Sequence, residues 1–189
     1  MEKSEMLKLL EGEPVIAAVK DEEGLYKCLT CPAGVVFVLF GTVVSIPGIV
    51  EKLHRAGKAA VVHVDLIDGL ALKESAVEYI AQATKAQGVI STRPALVQHA
   101  LHKGLIGIRR LFLLDSLALE NLHKQVSPEN TDFLEVLPGA MPKVLQKIAK
   151  GLPVPMIAGG LIADKEDVVN ALSAGAVAVS TTNPEVWKL

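Results

Sequence analysis

Aromatic residues are scarce in this 189-residue chain: one Trp, two Tyr and four Phe make up 4% of it, while half of all residues are apolar. A core without large rings must be built from Val, Ile, Leu and Ala, which suit parallel strands buried on both faces. The same shortage leaves no platform of rings on which exposed bases could stack. An excess of one charge is missing too. With 19 Lys and Arg against 21 Asp and Glu, the formal net charge is −2 at pH 7 and no block of like charges stands out. The chain therefore shows neither the basic stripe of a typical nucleic-acid binder nor an acidic tail.

No apolar run is long enough to span a bilayer, and the opening MEKSEMLKLLEGE mixes polar with apolar residues instead of reading as a secretory signal. The expectation is a soluble cytoplasmic protein with no membrane partner. Cysteine is limited to Cys28 and Cys31. A lone CLTC is a redox pair or half a metal site at best, and no second pair or His cluster completes a zinc site. Two ordinary thiols near the start of the second strand are expected, with no metal and no cofactor.

What the chain does carry is a recurrent pattern. Short apolar runs rich in β-branched residues, PVIAAV, VVFVLF, AAVVHV, GVIS, RLFLL, FLEVL, VPMIA and AVAVS, end at Val19, Phe40, Val64, Ser91, Leu114, Leu137, Ala158 and Val179. Those ends fall roughly 21–27 residues apart, the mark of a repeated unit. Between them lie helix signals. KESAVEYIAQATKAQG has apolar residues at helical spacing and a terminal Gly, and DKEDVVNALSAGA opens on an Asp cap and closes on Gly175. Parallel strands need crossovers of about a dozen residues, and each gap holds one short helix with little to spare. Eight such units predict an α/β protein, a (β/α)₈ TIM-type barrel forming a single domain over residues 1–189, with a flavodoxin-like open sheet as the alternative. Barrels of this kind usually run to about 250 residues, so some helices should be short or missing, and CLTCPAG leaves least room for one.

In such a barrel the functional groups sit in loops at the carboxyl ends of the strands. There the sequence places Lys20, then Asp65 and Asp68, Thr92 and Arg93, Asp115 and Ser116; Glu135 lies within the sixth strand. The sharpest signal is IAGGLI followed by AVSTTNPEVW. Gly159 and Gly160 let a phosphate approach the backbone, Ser180, Thr181 and Thr182 add hydroxyls and amides, and Pro184 after Asn183 opens a short helix whose positive end would face the anion. Taken singly, GG is a tight turn and STT a helix cap; together, at the seventh and eighth strand ends, they make a phosphate cradle. Lys20 and Arg93 are placed to reach the ligand or its phosphate, and Asp65 and Glu135 to accept from ligand hydroxyls, unless those carboxylates pair with Lys20 or Arg93 in the barrel mouth. Asp68 and Asp115 read as helix caps or loop anchors. His63 reads as a core histidine, and His99, His102 and His123 as solvent-facing.

In order, VDLIDGL (Val64 to Leu70), VISTRP (Val89 to Pro94), RRLFLLDS (Arg109 to Ser116), FLEVLPG (Phe133 to Gly139), PMIAGGLI (Pro155 to Ile162) and AVSTTNPEVW (Ala178 to Trp187) resemble the glycerol-3-phosphate-responsive antiterminator family, regulators of glycerol uptake operons. The resemblance runs from the first strand to the last residue. It implies a barrel that senses glycerol 3-phosphate and acts on the mRNA leader of a glycerol-utilisation operon so that transcription passes a terminator. It also implies phosphate binding at Gly159, Gly160, Ser180 and Thr181, and glycerol-end recognition at Lys20, Asp65 and Glu135.

A protein of net charge −2 needs a local basic patch to hold RNA. The candidates are Arg109 and Arg110 with Lys103, expected at the start of the fifth strand on the rim opposite the ligand, and Lys143, Lys147 and Lys150 along one short helix, although solvated surface is the plainer reading of either patch. With ligand and RNA on opposite rims, ligation has to change a shared element or the state of a homo-oligomer. Two other functions fit the same residues. One is an isomerase, aldolase or epimerase in which Lys20, Asp65 and Glu135 supply acid-base groups or an imine. The other is a phosphate-binding scaffold for a protein partner.

Overall fold

The computed structural model describes residues 1–189 and every side chain except that of His123, whose expected solvent exposure lies outside the described residues. Eight parallel strands close into a barrel in sequence order: β1 Val15–Val19, β2 Val35–Val38, β3 Ala59–His63, β4 Gly88–Ser91, β5 Ile106–Phe112, β6 Phe133–Leu137, β7 Met156–Gly159 and β8 Ala178–Thr181. The ring is completed where Val15 to Ala17 of β1 pair with Val179 to Thr181 of β8. Helix α1, Lys3–Gly12, precedes the first strand. The crossovers are α2 Glu22–Cys28, α3 Ile46–Arg55, α4 Glu74–Ala83, α5 Pro94–His102, α6 Ser116–Gln125, α7 Pro142–Ala149 and α8 Lys165–Ser173. Among the described residues no helix is long and apolar enough to cross a membrane.

The closed barrel replaces the open-sheet alternative, and the missing helix is not where CLTCPAG suggested. Asp21 accepts from the Gly24 amide at 2.7 Å and starts the seven-residue α2 ahead of that segment. After β8 a 3-10 turn, Val186–Lys188, stands in place of the short helix expected after Pro184. Asp115 and Asp164 cap α6 and α8 by accepting from the amides of Ala118 and Asp167. The helix expected through KESAVEYIAQATKAQG ends at Ala83, because Thr84 is extended and its hydroxyl donates to the Ile80 carbonyl. Gly88 then opens β4 instead of closing a helix. A Cβ there would lie 2.8 Å from the carbonyl oxygen of Ile106.

Side chains alternate between two apolar clusters, as strand pleating requires. Ile16, Val35, Phe37, Val61, Ile90, Ile108, Phe133, Ile157 and Ala178 fill the barrel, and Met6 and Leu10 of α1 join them, so α1 plugs the amino-terminal mouth. The intervening residues, among them Val36, Val62, Leu134 and Val179, pack under the helices. Alternation therefore determines what lies one layer higher inside the barrel: two residues beyond Val61, Ile108, Phe133, Ile157 and Ala178 come His63, Arg110, Glu135, Gly159 and Ser180.

Candidate functional site

The loops after β7 and β8 meet at the carboxyl rim and are tied together there. Thr181 Oγ1 donates to the carbonyl of Ile162 at 2.7 Å, Asn183 Nδ2 to that of Ala163 at 2.9 Å, and Trp187 Nε1 to that of Thr181 at 2.8 Å. Beneath them opens a cavity of about 380 Å³, walled by Ala18, Leu39 and Leu137, by Gly160 to Ala163 and Ser180 to Asn183, and floored by Arg110 and Glu135. Gly160 and Leu161 both take the left-handed backbone conformation, with φ of 74° and 61°. Among the described residues, the amides of Gly160, Leu161 and Thr182 donate to no acceptor within the chain. Successive amides turned outward in this way form a concavity suited to an anion.

The sequence-chosen residues do not all belong to this cavity. Gly160 and Ser180 line it, as does Thr181, whose hydroxyl is committed to Ile162. Gly159 is a correction. It sits in β7 facing the barrel interior, where a Cβ would come within 2.6 Å of Glu135 Oε1 and 2.7 Å of Ser180 Oγ, so its missing side chain makes room for a carboxylate and a hydroxyl rather than for a phosphate. The Asn183 carbonyl accepts from the Val186 amide and its Oδ1 from that of Glu185, so the turn after Pro184 keeps those donors to itself.

Glu135 pairs with neither Lys20 nor Arg93. It is fully enclosed, and its two oxygens accept from Arg110 Nε and Ser180 Oγ, each at 2.5 Å. Arg110 corrects the expected RNA patch. The fifth strand starts at Ile106, not at the arginines, so Arg109 and Arg110 lie mid-strand, both buried. Arg110 points into the barrel, and Arg109 points outward, where it donates to the carbonyl and Oε1 of Gln125 at the end of α6. Burial lowers the Arg109 guanidinium from its usual value. The missed signal was in the sequence: the apolar run IGIRRLF begins before the arginines and has Arg110 in phase with Ile106 and Ile108. Leu161 was missed as well. It is 75% exposed at the cavity edge and nothing in its residue type announces a left-handed backbone.

Asp65 is half-buried and occupied by its neighbours, accepting from Ser91 Oγ at 2.5 Å and from the amide and hydroxyl of Thr92 at 2.8 and 2.7 Å. Burial pushes its carboxyl up, but these hydrogen bonds outweigh burial and hold it below the usual value. Arg93 is exposed and borders a separate apolar hollow with Leu72 and Leu96, so it is not brought to the cavity. Lys20 is exposed in an adjoining hollow of about 280 Å³ that shares Ala18 and Thr182 with the cavity. Asp68 anchors the loop through its backbone, which bonds to Gly41 and Val43.

His63 lies in the barrel with its Nδ1 unpartnered, and burial together with the Arg110 cation pushes its pKa down to about 4 against the pull of Asp65. His99 is not solvent-facing as expected; it is largely covered and stands 3.5 Å from Glu78. Lys103 pairs with the same Glu78 at 2.8 Å, which removes it from the expected patch. Lys143, Lys147 and Lys150 are exposed along α7 and just past it, free of ion pairs among the described residues. Both cysteines are free thiols, and burial pushes Cys28 up to about 12. Among the described residues no three His, Cys, Asp or Glu side chains cluster to hold a metal ion.

The family model described as glycerol-3-phosphate responsive antiterminator matches residues 15–187. An Escherichia coli (strain K12) relative, described as the uncharacterized protein YgcP, is 44% identical over 184 residues, covering 97% of this chain and 96% of its own. Two solved structures share the fold at 31% identity. One, a glycerol uptake operon antiterminator regulatory protein from Listeria monocytogenes, aligns with a TM-score of 0.86 over 92% of this chain and 94% of its own. The other, a glycerol uptake operon antiterminator-related protein from Thermotoga maritima, aligns with a TM-score of 0.80 over 94% and 99%. The barrel with its tied β7 and β8 loops thus belongs to the glycerol-3-phosphate responsive antiterminator family.

Proposed function

We propose that this protein is a cytoplasmic sensor of glycerol 3-phosphate that acts as an antiterminator on the mRNA leader of a glycerol-utilisation operon, with the effector as its only small ligand. The observation that carries the ligand assignment is the set of unpaired amides at Gly160, Leu161 and Thr182 around one small cavity. A phosphate there replaces the water that those amides would otherwise hold. The three-carbon remainder fits the space below, between the rim and the floor.

The enzyme reading needs an amine or a free acid-base group facing the ligand. Lys20 lies one hollow away, Asp65 is bound by Ser91 and Thr92, and Glu135 is enclosed by Arg110 and Ser180. These commitments favour binding over turnover. For RNA, the basic face of α7 remains the candidate surface, now without Arg109 and Arg110. It also has a link to the ligand loop, because the Gly139 amide, just before α7, donates to the carbonyl of Gly160 at 2.9 Å. Ligation that changes the Gly160 turn therefore acts on the segment that leads into α7, whether in a monomer or a homo-oligomer.

The test is thermal unfolding with glycerol 3-phosphate, glycerol and inorganic phosphate, followed by leader-RNA binding with and without effector. Glycerol 3-phosphate at a hundredfold excess over its Kd should add about 2.7 kcal/mol, which for a chain of this size raises Tm by roughly 5–10 °C. Leader binding should strengthen with effector and weaken with salt. Lys143→Ala with Lys147→Ala should weaken RNA binding and leave effector binding intact. Equal RNA binding with and without effector rejects the switch, and product formation from glycerol 3-phosphate rejects the sensor in favour of an enzyme.

A further inference from the structure

One layer below the rim amides, a barrel filled mainly by apolar side chains contains an ion pair. Arg110 and Glu135 stand opposite each other on β5 and β6, bonded Nε to Oε2, and Ser180 on β8 donates to the other carboxylate oxygen. Two residues toward the amino-terminal mouth, the same strands hold Ile108, Phe133 and Ala178. A buried ion pair stabilises a fold little better than apolar side chains of the same volume, so packing does not account for this one.

The two partners differ in what they have left to offer. Glu135 borders the cavity but is fully enclosed, with one donor on each oxygen, so it has no exposed atom to offer a ligand. Arg110 commits only Nε. Its two terminal nitrogens donate to nothing among the described residues, and they are not among the occluded unpartnered atoms, so they stay open to the cavity whose floor Arg110 forms. A guanidinium held at Nε presents its remaining N–H donors in a fixed plane, and donors of that kind need oxygen acceptors. Because the pair is neutral as a whole, the floor has no net charge with which to draw the phosphate away from the rim amides.

On the reading above, in which the rim amides take the phosphate, we propose that Arg110 is a specificity-determining residue that donates to the hydroxyl oxygens at the far end of a phosphorylated polyol. Glu135 and Ser180 are its positioning residues. Recognition of the hydroxyls then comes from the barrel interior, and the rim supplies affinity for any phosphate monoester of suitable size.

Titration calorimetry with glycerol 3-phosphate, n-propyl phosphate and inorganic phosphate tests this, since propyl phosphate keeps the phosphate and the carbon count but has no hydroxyl. The wild-type protein should prefer glycerol 3-phosphate to propyl phosphate by about 10- to 100-fold, the value of donors from a charged group. Arg110→Met combined with Glu135→Gln, which keeps the floor neutral, should bring glycerol 3-phosphate down to the affinity of propyl phosphate and leave propyl phosphate unchanged. Glu135→Gln, which loosens the aim of the guanidinium and leaves its charge uncompensated, should reduce the preference for glycerol 3-phosphate over propyl phosphate. Arg110→Met alone strands a buried carboxylate beneath the phosphate, so the double variant is the one compared with wild type, with its melting curve as a check on folding.

Equal loss of all three ligands in the folded double variant would show that Arg110 reads the phosphate and overturn the assignment. A wild-type protein that binds both organophosphates equally would overturn it too, while keeping the rim cradle. If the wild type binds none of the three, the phosphate reading itself fails and this inference goes with it.

Discussion

The pair Gly159 and Gly160 looks like one motif in the sequence, and replacing each by Ala separates two quite different roles. At Gly159 a new Cβ would stand 2.6 Å from Glu135 Oε1 and 2.7 Å from Ser180 Oγ, both well inside contact distance. Neither neighbour can give way freely, because Glu135 is fully enclosed and bonded to Arg110 and Ser180. Overpacking alone costs about 1–3 kcal/mol, and displacing the carboxylate adds part of the 3–5 kcal/mol that breaking a buried pair costs. We therefore expect Gly159→Ala to lose about 2–4 kcal/mol, or roughly 5–15 °C in Tm. At Gly160 the nearest atom to an added Cβ is Leu137 Cδ2 at 3.2 Å, the end of a flexible side chain, and the main penalty is the backbone at φ 74°. That strain costs about 1 kcal/mol. Urea unfolding of the two variants against wild type, with unchanged slopes, measures the difference directly. If Gly159→Ala unfolds within about 0.5 kcal/mol of wild type, or costs less than Gly160→Ala, the interior packing argued here is wrong.

Two more outcomes follow from the same rim and core. Leu161 holds a left-handed backbone although its side chain is 75% exposed, so Leu161→Gly should stabilise the protein by about 0.5 kcal/mol, the relief of strain minus the entropy glycine adds to the unfolded chain; a lower urea midpoint would contradict this. His63 has a folded pKa pushed down to about 4, against 6.5 for a free imidazole, so the unfolded chain binds a proton that the folded chain refuses between those values. Stability should accordingly fall by up to about 3 kcal/mol as pH drops from 6.5 toward 4, with a slope near 1.4 kcal/mol per unit. Denaturant midpoints for wild type and His63→Gln at pH 7, 6, 5 and 4.5 decide it, since a variant with the same slope as wild type would clear His63 of the effect.

The strand-helix alternation was legible because it is a local property. A run such as PVIAAV or FLEVL needs only its own residues to be read as a buried strand, and Asp21, Asp115 and Asp164 cap the helices that follow them by bonds that reach three residues ahead. The placement of the two tied loops after β7 and β8 was legible for a related reason: the rim position of a loop follows from strand order, and residues without bulky side chains stand out there. The resemblance through six ordered motifs pointed to the same rim.

Partners across the barrel were not legible. Whether Arg110 faces solvent or the interior depends on where β5 begins, and a one-residue error in that start turns every side chain of the strand to the other face. The same holds for Glu135, whose partners come from β5 and β8, 25 and 45 residues away. Asp65 likewise spends its oxygens on Ser91 and Thr92, neighbours created by the pairing of β3 with β4.

The sequence by itself therefore determined the number and order of the strand-helix units and the two loops that meet over the cavity, since both depend on residues close together in the chain. Closure of the barrel decided which polar side chains point inward, which of them consume each other, and which one is left with donors facing the cavity. Those outcomes rest on contacts between strands far apart in the chain, and only the folded ring sets their register.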